Sequence, residues 1–191
     1  AEPLGYRGRM AKAFDPIRCR ATLRRPASPA NATGGFLRLP PGAGAALPSR
    51  GMVAVDVAIG AHAFTAVLEP DGEGGHWLKL PRAVQGAAGI APGDRVSLLL
   101  SPAQHEPEPV LPADLRAALA QVPGAHAQWQ AIAVAARRDF IQWLDTARQA
   151  ETRVRRIRTA CDMLAQGKRR ICCFDRSGLH GKGPRAPAAA G

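Results

Sequence analysis

The hydrophobic period of the chain changes about half-way along. Up to Ser101 the apolar positions fall in short runs of period two, each closed by glycine or proline. Ile17, Cys19, Ala21 and Leu23 alternate through 17–24, and Phe36-Leu37-Arg38-Leu39 forms a second run stopped by Pro40-Pro41. Gly42–Arg50 reads as a loop or one helical turn. Val53, Val55, Val57 and Ile59 share one side of 52–59 with Asp56 on the other, and Gly60-Ala61 turns the chain into 63–68, the clearest hairpin signal present. The glycine-rich loop Glu69–Gly75 leads into an extended run over 77–80. A short helix over 82–88, ended by Gly89, and the turn Pro92-Gly93-Asp94 precede a last run over 95–100. Alternation puts one face of each run on a core and the other in water. About six such strands leave edges to be covered, and closure into a small barrel removes them.

Beyond Ser101 the period becomes helical. Residues 102–112 carry four prolines and two glutamates and read as a linker. Leu111, Leu115 and Leu119 recur every four residues, with Asp114 in the first turn, until Pro123-Gly124 breaks the pattern. A longer helical region is predicted over about 126–148, with Trp129, Ile132, Ala136, Phe140, Trp143 and Leu144 as a core stripe. Thr152 is the predicted cap of a last helix carrying Ile157, Cys161 and Leu164 and ended by Gly167. From residue 177 on, Gly, Pro and Ala without core formers predict a disordered tail. The fold class is therefore α+β: a small N-terminal closed β-barrel over 14–101, then a C-terminal helical domain of three or four helices over 113–176.

Charge divides the chain differently. Residues 26–147 hold 8 basic and 10 acidic side chains, whereas 148–191 hold 11 and 3, and the first 25 residues add a net +5. A slightly acidic body with basic ends points to a surface that meets an anion, either a polymer or a headgroup layer. Arginine supplies 22 of the 26 basic residues; this fits phosphate or carboxylate binding, and equally a GC-rich genome that would also favour Ala and Pro. No stretch reaches the roughly 18–20 apolar residues of a membrane span. The first 25 residues lack the apolar core of a secretory signal, and Met10 is the expected natural start. Four cysteines in this length do not make a disulfide scaffold, so a reducing, cytoplasmic setting is expected.

Three clusters carry candidate chemistry. The first is the segment 69–79. Glu69, Asp71, Glu73, His76, Trp77 and Lys79 mix acid, base and imidazole beside backbone N–H groups freed by glycines, a composition able to cradle a small anion or polar ligand. Glu69 and Asp71, two apart, would share a face of an extended chain and so could share a proton or a metal. The plainer reading is a tight barrel turn with Trp77 as a core anchor. The second cluster is basic. Arg153, Arg156, Arg169, Arg170 and Arg176 form a stripe able to contact phosphates, which would give weakly specific, salt-dependent nucleic-acid binding. The third is the adjacent pair Cys172 and Cys173. Lys168, Arg169, Arg170 and Arg176 flank it, which would lower a thiol pKa and favour oxidation. Zinc on Cys161, Cys172, Cys173 and His180 is disfavoured, because adjacent cysteines make poor partners at one tetrahedral ion. No GxSxG elbow, P-loop, zinc-finger spacing or aromatic stacking platform occurs. No cofactor, metal or catalytic residue is assigned; the expected partner is a protein or a small molecule, with an enzyme site at 69–79 as an alternative.

Several separated blocks, taken in order, resemble one bacterial family. In the first half they are Phe36-Leu37-Arg38-Leu39-Pro40, Leu47-Pro48-Ser49-Arg50-Gly51-Met52, Leu68-Glu69-Pro70-Asp71-Gly72 and His76-Trp77-Leu78-Lys79. In the second they are Val110-Leu111-Pro112-Ala113-Asp114-Leu115, Ala136-Arg137-Arg138-Asp139-Phe140, Glu151-Thr152-Arg153 and the tail from Gly167 to Gly178. Over most of 14–180 the chain resembles the YdeI or OmpD-associated proteins, also called bacteriocin-protection proteins, with a DUF1905-like N-terminal domain. The resemblance implies a small β-barrel ahead of helices and, by name, a stress, envelope or antimicrobial-resistance role. It implies no reaction. One departure is local: where the family opens a helix behind a Ser or Thr-Pro cap, Ile132-Ala133-Val134-Ala135 offers no capping side chain.

Overall fold

The computed structural model describes residues 13–29, 34–181 and 183–191; Met10 lies outside them. The alternating runs become six antiparallel strands: β1 (Ile17–Thr22), β2 (Gly35–Arg38), β3 (Val53–Ile59), β4 (His62–Pro70), β5 (His76–Leu80) and β6 (Arg95–Pro102). Their order in the sheet is β1-β6-β3-β4-β5-β2. Just past the end of β1, Arg24 closes the ring against β2. Its N–H donates to the Phe36 carbonyl at 3.0 Å and its carbonyl accepts from the Phe36 N–H at 2.9 Å. Gly35 permits this seam. A Cβ there would stand 2.7 Å from Leu23 Cδ1 and 3.0 Å from the Arg24 carbonyl oxygen. The barrel interior is the inward set of the alternation, with Leu23, Leu37, Val55, Val57, Leu68, Leu78, Leu80, Leu98 and Leu100 all buried.

Proline opens most of the helices. α1 (Pro41–Ala45), α2 (Arg82–Ala88), α3 (Ala113–Ala120) and α4 (Pro123–Ala131) start at or just behind Pro40, Pro81, Pro112 and Pro123, without a side-chain cap. The ring sets φ near its helical value and removes an N–H that would lack an intrahelical partner. α5 (Val134–Asp145) and α6 (Ala150–Ala165) complete the second half. The single helical region expected over 126–148 is in fact two helices. Ile132 is extended (φ −76°, ψ 155°), as is Ala133, so the chain breaks there while Trp129, Ile132, Ala136, Phe140 and Leu144 all stay buried. Thr152 caps nothing: α6 starts behind Gln149, two residues before the threonine is reached, with no side-chain cap bond.

Two compact units result. One comprises the described residues up to Pro107 with Ser177–Leu179 and Arg185–Gly191; the other comprises Glu108–Arg176 and His180–Pro184. The C-terminal residues thus differ from the disorder expected of them. Pro26 and Ala189 form an antiparallel bridge, the Ala27 N–H donates to the Ala188 carbonyl at 2.8 Å, and the Ala190 N–H to the Arg25 carbonyl at 2.9 Å. The Ala186 N–H reaches the Asp71 carbonyl at 3.2 Å. A segment too poor in apolar side chains to make a core can still satisfy the backbone of a strand edge, since main-chain pairing needs no particular side chain.

Candidate functional site

Between β4 and β5 the chain makes a tight loop around one carboxylate. Asp71 Oδ1 accepts from the Glu73 N–H at 2.8 Å and the Gly75 N–H at 2.9 Å, while the Asp71 N–H donates to the Gly75 carbonyl at 3.0 Å. Arg38, on the outward side of β2, reaches across with Nη2 3.2 Å from Asp71 Oδ2 and 2.7 Å from Glu73 Oε2. Gly75 is required by the close approach: a Cβ there would lie 2.7 Å from Asp71 Oδ2. Burial works to raise the Asp71 pKa. The two backbone N–H groups and the Arg38 guanidinium outweigh it and hold the carboxyl below its ordinary value. Asp71 is therefore an ionised anchor held by three donors. The proton-sharing partnership expected with Glu69 is not what forms; Asp71 is tied to Glu73 through Arg38 instead, and Glu69 stands half-buried opposite Trp77 in the β4–β5 register.

His76 opens β5 and is buried. Its Nε2 lies 2.8 Å from the Gly51 carbonyl, so Nε2 carries the proton and donates. Nδ1 is buried without a hydrogen-bond partner, and Gly44 of α1 faces it: a Cβ on Gly44 would sit 3.8 Å away. A second proton on Nδ1 would be buried out of reach of water. Burial accordingly pushes the His76 pKa below 6.5, more than the Gly51 carbonyl, the nearby Asp71 charge and the Ser49 backbone raise it. The unfolded chain then binds a proton that the folded chain does not, so stability falls as pH drops below 6.5 toward the depressed folded value. His76→Gln, which keeps a donor for Gly51 and cannot titrate, is expected to flatten the dependence of melting temperature on pH between about pH 7 and pH 5. An unchanged slope in the variant would assign the acid sensitivity elsewhere.

A cleft of about 740 Å³ opens on the barrel unit beside this loop, within the size range of about 300–1,000 Å³ typical of small-molecule sites. Leu39, Leu47 and Pro48 supply apolar wall; Arg38, Ser49, Arg50, Asp71 and Glu73 supply polar groups. Of the residues expected at a site in 69–79, the structure brings only Asp71 and Glu73 to the cleft wall. His76 is behind it, against Gly44. Trp77 is a packing residue, edge-on to Phe36 at 6.2 Å between ring centroids, and Lys79 is exposed at the register position opposite Phe36. Arg38, Ser49 and Arg50 are additions. The signal for Arg38 was an arginine at the outward position of a strand, next to a loop carrying two acids. Arg50 was marked only by its place after Pro48-Ser49.

Two family models match the two halves. Residues 20–100 match the domain of unknown function DUF1905, and residues 108–167 match the bacteriocin-protection, YdeI or OmpD-associated family. The chain joins a DUF1905 domain to a YdeI/OmpD-associated domain. No curated protein matches it. The cleft thus lies within the stretch that matches DUF1905; Arg153 and Arg156 lie within the second match, whereas Arg169, Arg170, Arg176 and the cysteine pair follow its end.

In that helical part the expected phosphate-facing stripe is largely taken up by internal ties. Arg153 holds Asp114 of α3 with two bonds, of 2.6 and 3.2 Å, and Asp145 of α5 at 2.8 Å, and these carboxylates push its pKa further up. Arg156 donates to the Trp143 carbonyl and to Thr146 Oγ1 and lies over the Trp143 ring, 5.1 Å from its centroid. Arg176 pairs with Asp139 at 3.0 Å. Arg169 and Arg170 remain exposed beyond the end of α6. Helix pairs whose contact is mostly Leu and Ala leave room at their rims for long side chains, and arginine's fork links carboxylates and carbonyls of neighbouring helices there.

Cys172 and Cys173 are both exposed, with their sulfurs 2.8 Å apart. The lowered thiol pKa expected from the flanking cations is not found at Cys173. Its hydrogen bond with Cys172 raises the pKa, the adjacent sulfur charge adding to the effect. Among the described residues no group of three or more His, Cys, Asp or Glu side chains could hold a metal ion. Nor is any described helix long and apolar enough to cross a membrane.

Proposed function

We propose that the chain is a non-catalytic binding protein whose ligand is a small polar molecule with an anionic group, received in the cleft of the DUF1905 domain. The observation that carries this is Arg50. It lines the cleft, its Nη1 lies 3.9 Å from where a Cβ on Gly74 would be, and it has no ion-pair partner among the described residues. Arg38, by contrast, is held by Asp71 and Glu73. A charged donor beside an apolar wall of Leu39, Leu47 and Pro48 suits a ligand with one anionic end and a compact body. The groups that general acid–base work would use are otherwise engaged. Asp71 is tied to three donors and held below its ordinary pKa, and His76 donates to Gly51 from behind the cleft wall, which supports binding over catalysis. In the same proposal the protein works in a reducing cytoplasm, with its four cysteines as free thiols, and serves the tolerance of antimicrobial agents that the family description suggests.

Native mass spectrometry of the purified full chain, at low and high salt, tests the reading. The expected result is a stoichiometric small-molecule adduct that survives high salt and binds Arg50→Ala roughly tenfold or more weakly, as loss of one charge-assisted contact implies. An adduct indifferent to Arg50→Ala would move the site elsewhere. A chain that carries only nucleic acid, and only at low salt, would favour electrostatic binding through Lys168, Arg169 and Arg170 instead.

A further inference from the structure

We propose that Cys172 and Cys173 form a reversible thiol switch, closed by a peroxide to a disulfide between the adjacent residues. The geometry carries this. Adjacent side chains on extended backbone point to opposite sides, so neighbouring cysteines do not ordinarily bring their sulfurs together. Here they stand 2.8 Å apart because the backbone turns at Cys173, whose φ of +58° is left-handed and the one positive φ outside glycine among the described residues. That conformation is unfavourable for a residue with a Cβ and persists where the surroundings impose it. Both flanks are anchored within the helical unit. Ile171 packs against the hydrophobic cluster of α3–α6, and Arg176 is ion-paired to Asp139 of α5. Between these anchors both thiols face solvent, whereas Cys161 is buried and Cys19 half-buried. An exposed thiol with a second thiol within contact to resolve a sulfenic acid has the arrangement of a peroxide-responsive pair.

The chemistry closes in two steps. The thiolate of one cysteine attacks the peroxide; the O–O bond breaks, sulfur is oxidised to a sulfenic acid, and the other oxygen leaves as water or an alcohol. The neighbouring thiol then attacks the sulfenic sulfur, the S–S bond forms, and the hydroxyl leaves with a proton as water. Two thiols lose two electrons and the peroxide gains them. A dithiol reductant reverses the change by thiol–disulfide exchange.

The test treats the full chain with hydrogen peroxide, then alkylates with iodoacetamide under denaturing conditions and maps the peptides. The peptide holding both cysteines is expected to lose two hydrogens and escape alkylation at both positions, at least about tenfold faster than Cys19 or Cys161 loses its thiol. Dithiothreitol should restore alkylation. In Cys172→Ser and in Cys173→Ser the remaining cysteine should stop at a sulfenic acid trapped by dimedone, and urea should abolish the rate advantage of the wild-type pair. Alkylation that persists at both positions, a disulfide between two chains, a sulfinic acid as first stable product, or equal rates with and without urea would each overturn the proposal.

Discussion

Asp71→Ala is expected to destabilise the barrel unit by on the order of 2–3 kcal/mol and to abolish binding in the cleft. The cost follows from what the carboxylate satisfies. Two backbone N–H groups, of Glu73 and Gly75, donate to one oxygen of a buried side chain, and an alanine leaves both without that acceptor. Arg38 contributes much less, because its side chain is 41 % exposed and surface pairs are worth about 0–1 kcal/mol. Arg38→Ala should therefore cost under about 1 kcal/mol, and Asp71→Asn should fall between the two, since an amide oxygen still accepts from both N–H groups. Urea unfolding followed by the fluorescence of Trp77, six residues past Asp71, in a background with Trp129 and Trp143 replaced by phenylalanine, is the measurement. If Arg38→Ala proves as costly as Asp71→Ala, the ion pair and not the backbone frame holds the loop. Acid gives a second readout. The depressed Asp71 pKa means that its stabilisation is present above its ordinary value of 3.8 and is lost as pH falls through the folded value, so this loss should be missing from Asp71→Ala.

The barrel was legible because alternation is local. Val53, Val55, Val57 and Ile59 announce an inward face whatever strand lies beside them, and Gly60-Ala61 sets the hairpin register in which Ile59 faces His62. Closure was legible only as a need to cover edges. Which residues close the ring, Arg24 with Phe36, depends on a pairing across 11 intervening residues that no local pattern specifies. The helical half was harder for a physical reason. α4 and α5 bury the same apolar sequence into one core, so spacings of three and four run through the break at Ile132-Ala133 and periodicity alone joins them. The arginines misled for the converse reason. A charge count weighs Arg153 and Arg169 alike, yet only the fold says that Asp114 and Asp145 lie beside the first.

The site shows the same division. Asp71 and Glu73 were marked by the glycines that follow each of them, and their place at the cleft follows from that loop. His76 and Trp77 were marked by type alone, and packing on both faces of β5 decided against them. Both belong to the packing of β5, one against Gly44 and Gly51 and the other against Phe36. Arg38 and Arg50 come from segments 33 and 21 residues before Asp71, so no window around the loop contains them. A cleft lined from β2, α1 and the β4–β5 loop is a product of the barrel's order, in which β2 is brought beside β5 although it is formed far earlier in the chain.

Phe140→Ala carries the largest expected loss, about 3–5 kcal/mol in the helical unit. The ring is fully buried and meets Trp129 edge-on, 6.3 Å between centroids, with Leu115, Leu119, Ile132, Leu144, Ile157 and Leu164 in the same cluster. A unit of this size has only about 0.05–0.15 kcal/mol of stability per residue, so the loss approaches the whole of it. Trp143, in the same predicted stripe, is only partly buried, and Arg156 lies over its outer face. Trp143→Ala should cost about 1–2 kcal/mol, for the partly buried ring surrenders less area and leaves no enclosed cavity. Hydrogen exchange read by mass spectrometry separates the two outcomes. Phe140→Ala should strip protection from α3 through α6 together, since all four helices contribute to the cluster around that ring; Trp143→Ala should loosen the contact of α5 with α6 and leave α3 and α4 protected. Equal effects would mean that the aromatic stripe, and not the inward row of Trp129, Ile132, Ala136, Phe140 and Leu144, organises the helical core.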